Sequence, residues 1–151
     1  MNRDFVEMLS ALSEAGAEYL LVGAHALAAY GIPRATGDID IWVKPSPGNA
    51  ARVRSALAAF GAPLFDLTLD DLSRPGTVFQ IGVPPGRIDI LTGITGVTFE
   101  EAWPRRTSVD LPGVVAPVIG KADFVANKRA TGRPKDLADL ALLAERADGP
   151  G

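Results

Sequence analysis

Two aspartates separated by one residue, Asp38 and Asp40, stand in the run Asp38-Ile39-Asp40-Ile41-Trp42-Val43, whose other members are all apolar. The period-2 alternation predicts a strand that stops at Lys44-Pro45. On a strand both carboxylates leave the same face, roughly 6 to 7 Å apart, while Ile39 and Ile41 enter the opposite layer. Further along, Arg87-Ile88-Asp89-Ile90-Leu91 repeats the pattern of one aspartate between two isoleucines. If the two strands are neighbours, three carboxylates meet, and facing like charges destabilise a sheet unless something compensates. A divalent cation is the simplest compensation. Mg2+ (or Mn2+) prefers hard oxygen ligands and is commonly held by one or two carboxylates together with substrate phosphates. A pair of such ions can stabilise the attacking and leaving oxygens of an in-line displacement. The competing reading puts the aspartates on a solvated sheet face, or pairs Asp89 with Arg87 or Arg34.

A second chemical feature lies upstream. The strand candidate Glu18-Tyr19-Leu20-Leu21-Val22 ends at Gly23, and Ala24-His25-Ala26-Leu27 opens a helix. Small residues where a helix begins let phosphate oxygens approach unpaired backbone N–H groups, so Gly23 and Ala24 are candidates for cradling a triphosphate. Glycine between a strand and a helix is also common for steric reasons alone. His25, the single histidine, reads as a packed or surface residue and receives no chemical role. Tyr30 and Trp42 read as core or cleft wall.

The elements that must position these groups are legible in outline. Phe5, Met8, Leu9 and Leu12 recur at helical spacing and predict a helix over 3–15, closed by Gly16. A second helix is expected over about 48–60. Residues 77–83 and 87–91 read as two strands joined across Pro84-Pro85-Gly86. Residues 98–103 suggest a short helix, 107–118 an irregular extended stretch interrupted by proline, and the chain from Lys121 onward two helices split at Gly132-Arg133-Pro134. This alternation predicts an α/β (α+β) fold with a mixed central sheet flanked by helices, as one domain over 1–147, with 148–151 a loose tail.

Composition narrows the partners. A chain of 151 residues with 47% hydrophobic and 22% charged residues has the make-up of one globular domain. A formal net charge of −3 gives no sign of a long polyanionic partner, though a small anion held locally is compatible with it. Without cysteine there is no disulfide, thiolate chemistry or sulfur-bound zinc. The N-terminal pattern lacks the apolar core of a secretory signal, and the stretch from Tyr19 to Ile32 is broken by Gly23 and His25 and too short to span a membrane. The expectation is a cytoplasmic protein without a membrane partner.

Taken together, the run from Leu21 to Leu27, then Gly31-Ile32-Pro33-Arg34-Ala35-Thr36-Gly37-Asp38-Ile39-Asp40, Asp89, and Lys128-Arg129-Ala130-Thr131-Gly132-Arg133-Pro134-Lys135-Asp136-Leu137-Ala138-Asp139-Leu140 resemble the nucleotidyltransferase superfamily. More narrowly, they are similar to the minimal bacterial nucleotidyltransferase-like proteins related to AbiEii toxins. The likeness spans residues from about 18 to 143. It implies the polymerase-beta-like fold and transfer of a nucleoside monophosphate from a triphosphate such as ATP, with release of pyrophosphate. By position it gives Asp38, Asp40 and Asp89 the metals and makes Asp89 the base toward the acceptor hydroxyl. It places Gly23 and Ala24 at the phosphates and Lys128 near the triphosphate or acceptor. Arg34 and Thr36 match the family's R-x-T; Arg34 would reach a phosphate or Asp89, or else pair with another carboxylate, while Thr36 caps a turn. The family usually continues Gly with Gly or Ser, where this chain has Ala24, which is small but lacks a hydroxyl. Arg133, Lys135, Asp136 and Asp139 read first as an ion-pair network at a helix start, with Lys135 and Asp139 at i,i+4 spacing.

The function expected is therefore a metal-dependent nucleotidyltransferase acting on an unidentified hydroxyl acceptor in RNA such as tRNA, in a protein or in a small molecule. The resemblance admits a toxin–antitoxin or defence context. The alternative is a weak or inactive nucleotidyltransferase-fold module that binds nucleotide or a partner protein, and a third reading is an interaction protein with a solvated acidic face. A homo-oligomer or a partner subunit would suit so small a domain.

Overall fold

The computed structural model describes residues 1–147; the loose tail expected at 148–151 lies outside them. The first helix, α1 (Arg3–Glu14), buries Phe5, Met8, Leu9 and Leu12, the stripe its periodicity foretold, and begins where the Asn2 side chain accepts from the Asp4 N–H. β1 (Tyr19–Val22), wholly buried, runs into the short helix α2 (Gly23–Ala29). β2 (Asp38–Val43) leads to α3 (Pro47–Phe60), which opens on a Ser46 cap with Pro47 in its first turn. These follow local chemistry: a hydroxyl satisfies an orphan N–H, and proline belongs where no N–H is needed.

Next come α4 (Leu69–Ser73), which the hydrophobic pattern did not foreshadow and which is held by a Thr68/Asp71 capping box, then β3 (Val78–Ile81) and β4 (Arg87–Leu91). α5 (Phe99–Ala102) continues into a 3-10 turn at Trp103–Arg105. The stretch read as irregular at 107–118 is instead a regular hairpin, β5 (Thr107–Leu111) and β6 (Val114–Val118). Pro112 and Pro117 obscure its alternation, and pairing of β6 with β1, where Leu21 stands beside Val118, supplies the order that local pattern lacks. α6 (Lys121–Thr131) and α7 (Pro134–Ala147) complete the chain.

One mixed sheet runs in the order β3-β4-β2-β1-β6-β5. β2 lies parallel to β4, and β1 parallel to β6, while the remaining neighbours are antiparallel. Ile39, Ile41, Ile88 and Ile90 are fully buried in the core that includes the α1 stripe and Val53 and Leu57 of α3. Trp42 is equally buried and meets Phe99 edge-on at 5.1 Å between ring centroids. Buried Asn49 ties the sheet to α3: its amide accepts from the Glu18 N–H at 2.7 Å and donates to the carbonyls of Glu18 and Lys44. No helix among the described residues is long and apolar enough to cross a membrane.

Candidate active site

Parallel pairing of β2 and β4 sets Asp40 beside Asp89 and Asp38 beside Arg87. Because side chains alternate, all four project from one sheet face. Each of Asp38, Asp40 and Asp89 offers one carboxylate oxygen within 4.8 Å of the others. The convergence expected from two isoleucine-flanked aspartates is thus present, and so is the pairing offered as its alternative. Arg87 Nε and Nη2 donate to the two Asp89 oxygens at 2.9 and 3.1 Å, and Nη2 also donates to Asp38 Oδ2 at 2.7 Å. Arg87 was visible in sequence only as a partner for Asp89. Its position two residues earlier on the same strand was the signal that it shares the face.

The three carboxyls are not equivalent. Burial pushes Asp38 up, but hydrogen bonds from Thr36 and Arg87 outweigh it and leave the group below its ordinary value. Among the described residues Asp40 has no such donor. Burial, then the charges of Asp38 and Asp89, raise it to about 7, against only a partial offset from Lys128. The cluster therefore holds two carboxyls, Asp38 and Asp89, that share the single positive charge of Arg87, and a third, Asp40, that receives none of its hydrogen bonds.

A cavity of about 230 Å³ opens onto Asp38 and Asp40, walled on one side by Gly23 and Ala24 and on another by Arg34, Ala35 and Thr36. Lys128 of α6, Arg133 of the break that follows it, and Lys135 and Asp139 of α7 complete the lining. Every residue singled out for phosphates, namely Gly23, Ala24, Arg34, Thr36 and Lys128, lines this one cavity, and Asp89 lies just behind it, 5% exposed. Gly23 has φ +66°, and a Cβ there would lie 2.4 Å from Asp40 Oδ2. Gly23→Ala is therefore expected to destabilise the protein by about 1–2 kcal/mol from backbone strain alone. It should also displace the Asp40 carboxylate, so that any rise in melting temperature with Mg2+ and triphosphate is lost; thermal melts with and without the two together check both.

The charged residues of this lining pair differently from the spacing-based expectation. Arg34 meets Asp139, not Asp89, which ties the segment before β2 to α7. Asp139 is thereby taken, and the Lys135 to Asp139 pair does not form; the long-range partner with a planar fork wins over the local ammonium. Asp136, fully buried in the first turn of α7, accepts from Arg133, from Thr131 Oγ1 at 2.6 Å and from Lys128 Nζ at 3.3 Å. The Arg133 hydrogen bonds first, then Thr131 and Lys128, hold its carboxyl far below the usual range. Lys128 is itself only 9% exposed at the side chain.

Thr36 does turn back on Asp38, its Oγ1 donating to Asp38 Oδ1 at 2.8 Å. His25 packs edge-on against Phe5, burial lowers its affinity for a proton against the pull of Asp38, and its Nδ1 has no hydrogen-bond partner among the described residues, in keeping with a packed ring. Tyr30 donates to the Ile119 carbonyl at 2.6 Å and Trp42 is core, as read.

The donor set suits Mg2+ or Mn2+ on its own chemistry: three hard carboxylate oxygens that share a single guanidinium, beside a cation-lined cavity sized for a small polyanion. No family model and no curated protein matches the sequence. Among solved structures, the chain is similar to the crystal structure of a candidate nucleotidyltransferase from Thermotoga maritima, with a TM-score of 0.62 and 14% identity over 95% of this chain and 92% of that one. The chain thus has the mixed-sheet fold of that protein.

Proposed function

We propose that this chain is a metal-dependent nucleotidyltransferase, moving a nucleoside monophosphate from a triphosphate to a hydroxyl acceptor and releasing pyrophosphate. One observation carries the reading: Asp38, Asp40 and Asp89 converge from two parallel strands, and Asp38 and Asp40 line the same cavity as Lys128, Arg133 and Lys135. Asp38, Asp40 and Asp89 would hold Mg2+ or Mn2+, which when bound supplies charge neutralisation at the phosphates. Lys128, Arg133 and Lys135 offset the charge that develops on the leaving pyrophosphate. The Gly23-Ala24 turn admits phosphate oxygens close to the backbone. Asp89 takes the proton of the acceptor hydroxyl as oxygen attacks the α-phosphorus, and the bond to pyrophosphate breaks.

The same reading takes residues 1–147 as one working domain in the cytoplasm, with ATP or another triphosphate as donor. RNA, protein and small molecules remain the acceptor classes, and the toxin–antitoxin or defence context rests on the likeness to AbiEii relatives. A second reading, a module that binds nucleotide or a partner protein without turnover, is favoured by one contact: both Asp89 oxygens accept from Arg87. Incubation with α-labelled triphosphates and a cell extract separates the two. Label should pass to an acceptor with the native chain and fall roughly a hundredfold or more with Asp38→Asn. Nucleotide binding without label transfer or pyrophosphate release would establish the module.

A further inference from the structure

Arg87 has no part in the chemistry outlined above, yet it occupies the centre of the cluster. Its guanidinium bridges Asp38 and Asp89 through three hydrogen bonds of 2.7 to 3.1 Å. Its side chain is 29% exposed and that of Asp38 26%, so the bridge faces the open side of the sheet and is not sealed beneath it. Guanidinium keeps its charge at any physiological pH and its planar fork matches a carboxylate. A divalent cation reaching these oxygens must take lone pairs that Arg87 already uses and must approach a fixed positive charge.

We propose that Arg87 is a resident counter-cation that competes with the divalent metal for Asp38 and Asp89, so that the site takes up free Mg2+ weakly and takes it up well only together with a polyphosphate. The inference rests on the metal-site reading above. In the metal-free chain Arg87 keeps the carboxylates gathered at one point despite their mutual repulsion. A polyphosphate brings its own negative charge into the cavity, which lowers the cost of crowding a dication and a guanidinium together and offers the guanidinium an alternative acceptor. Metal loading is thereby tied to the arrival of the nucleotide.

The test is Mg2+ titration of the full chain by calorimetry, with and without a non-hydrolysable triphosphate, for the native protein, Arg87→Gln, Arg87→Lys and Asp40→Asn. Arg87→Gln should bind Mg2+ alone at least tenfold tighter than the native chain, and the triphosphate should add much less to its affinity. Arg87→Lys, which retains the charge without the fork, should fall between. Equal or weaker Mg2+ binding by Arg87→Gln, with native binding still abolished by Asp40→Asn, overturns the inference while leaving the metal site intact. Native protein that binds no Mg2+ even with triphosphate overturns both. Should Arg87→Gln fail to fold, the Nε–H nuclear magnetic resonance signal of Arg87 in the native chain decides. A signal that shifts as Mg2+ and triphosphate are added supports competition, and one unmoved at saturation overturns it.

Discussion

Replacing Asp40 by Asn is expected to raise the melting temperature of the metal-free protein at pH 8 and, in the same variant, to abolish any stabilisation by Mg2+ and triphosphate. The first half follows from the raised Asp40 carboxyl, whose causes are burial and then the neighbouring charges of Asp38 and Asp89. In the unfolded chain the group loses its proton near its ordinary value of 3.8, whereas in the fold it keeps it until about 7. The folded state then binds more protons than the unfolded state between these values, so stability falls as pH rises from about 4 through about 7. Because the cavity admits water, a discounted cost of about 2 kcal/mol is appropriate, or roughly 4–8 °C for a domain of this size. Asn removes the penalty and the pH dependence together. The second half follows from linkage: a ligand stabilises only the state that binds it, and Asp40 is the carboxylate with no competing donor among the described residues. Melts at pH 5 and pH 8, with and without Mg2+ and triphosphate, check both halves. A variant that gains nothing at pH 8 and keeps the native shift with Mg2+ and triphosphate would mean that the stabilising cation is not held at Asp40.

Asp136→Ala is expected to cost about 3–5 kcal/mol, a large share of the stability of any domain of this size, because it leaves buried Lys128 without its carboxylate partner. The same substitution strips Arg133 and the Thr131 hydroxyl of an acceptor. Asp136→Asn, which keeps the shape and removes the charge, should lose nearly as much, since Lys128 and Arg133 then share no anion. By contrast, Asp139→Ala should cost less, because Arg34 is 32% exposed at the side chain and can be rehydrated. The sign with pH is opposite to that of Asp40. Asp136 is held below its ordinary value, so its contribution is present above about pH 4 and is lost as acid protonates it in the fold. Denaturant titrations at pH 7 and pH 3 measure both effects, and Asp136 and Asp139 variants of equal stability would contradict the asymmetry.

Lys128 and Asp136 join the stability of the fold to the proposed chemistry. The ion pair that secures the junction of α6 and α7 also sets the wall of the cavity facing Asp40. A lysine so paired is pre-oriented and pays little further ordering cost on meeting a phosphate. Its positioning depends on the Gly132-Arg133-Pro134 break, which returns the chain so that Asp136 lies beneath Lys128.

Several features were settled by residue order alone. Isoleucines on either side of Asp89, and Ile39 between Asp38 and Asp40, determine which way each carboxylate faces, because the period of a strand is two and the apolar side must be buried. The stripe of α1, the Ser46-Pro47 opening of α3 and the Gly23 turn are likewise local, each fixed by chemistry within a few residues. What only the tertiary structure decided is who meets whom across the chain: the in-register placement of Asp40 beside Asp89, Arg87 spanning Asp38 and Asp89, Arg34 drawn to Asp139 instead of Asp89, and the hairpin of β5 and β6. Alternation specifies a face but not a neighbour, and the partner a charge takes is selected by burial and geometry among residues far apart in the chain, which no short-range pattern records.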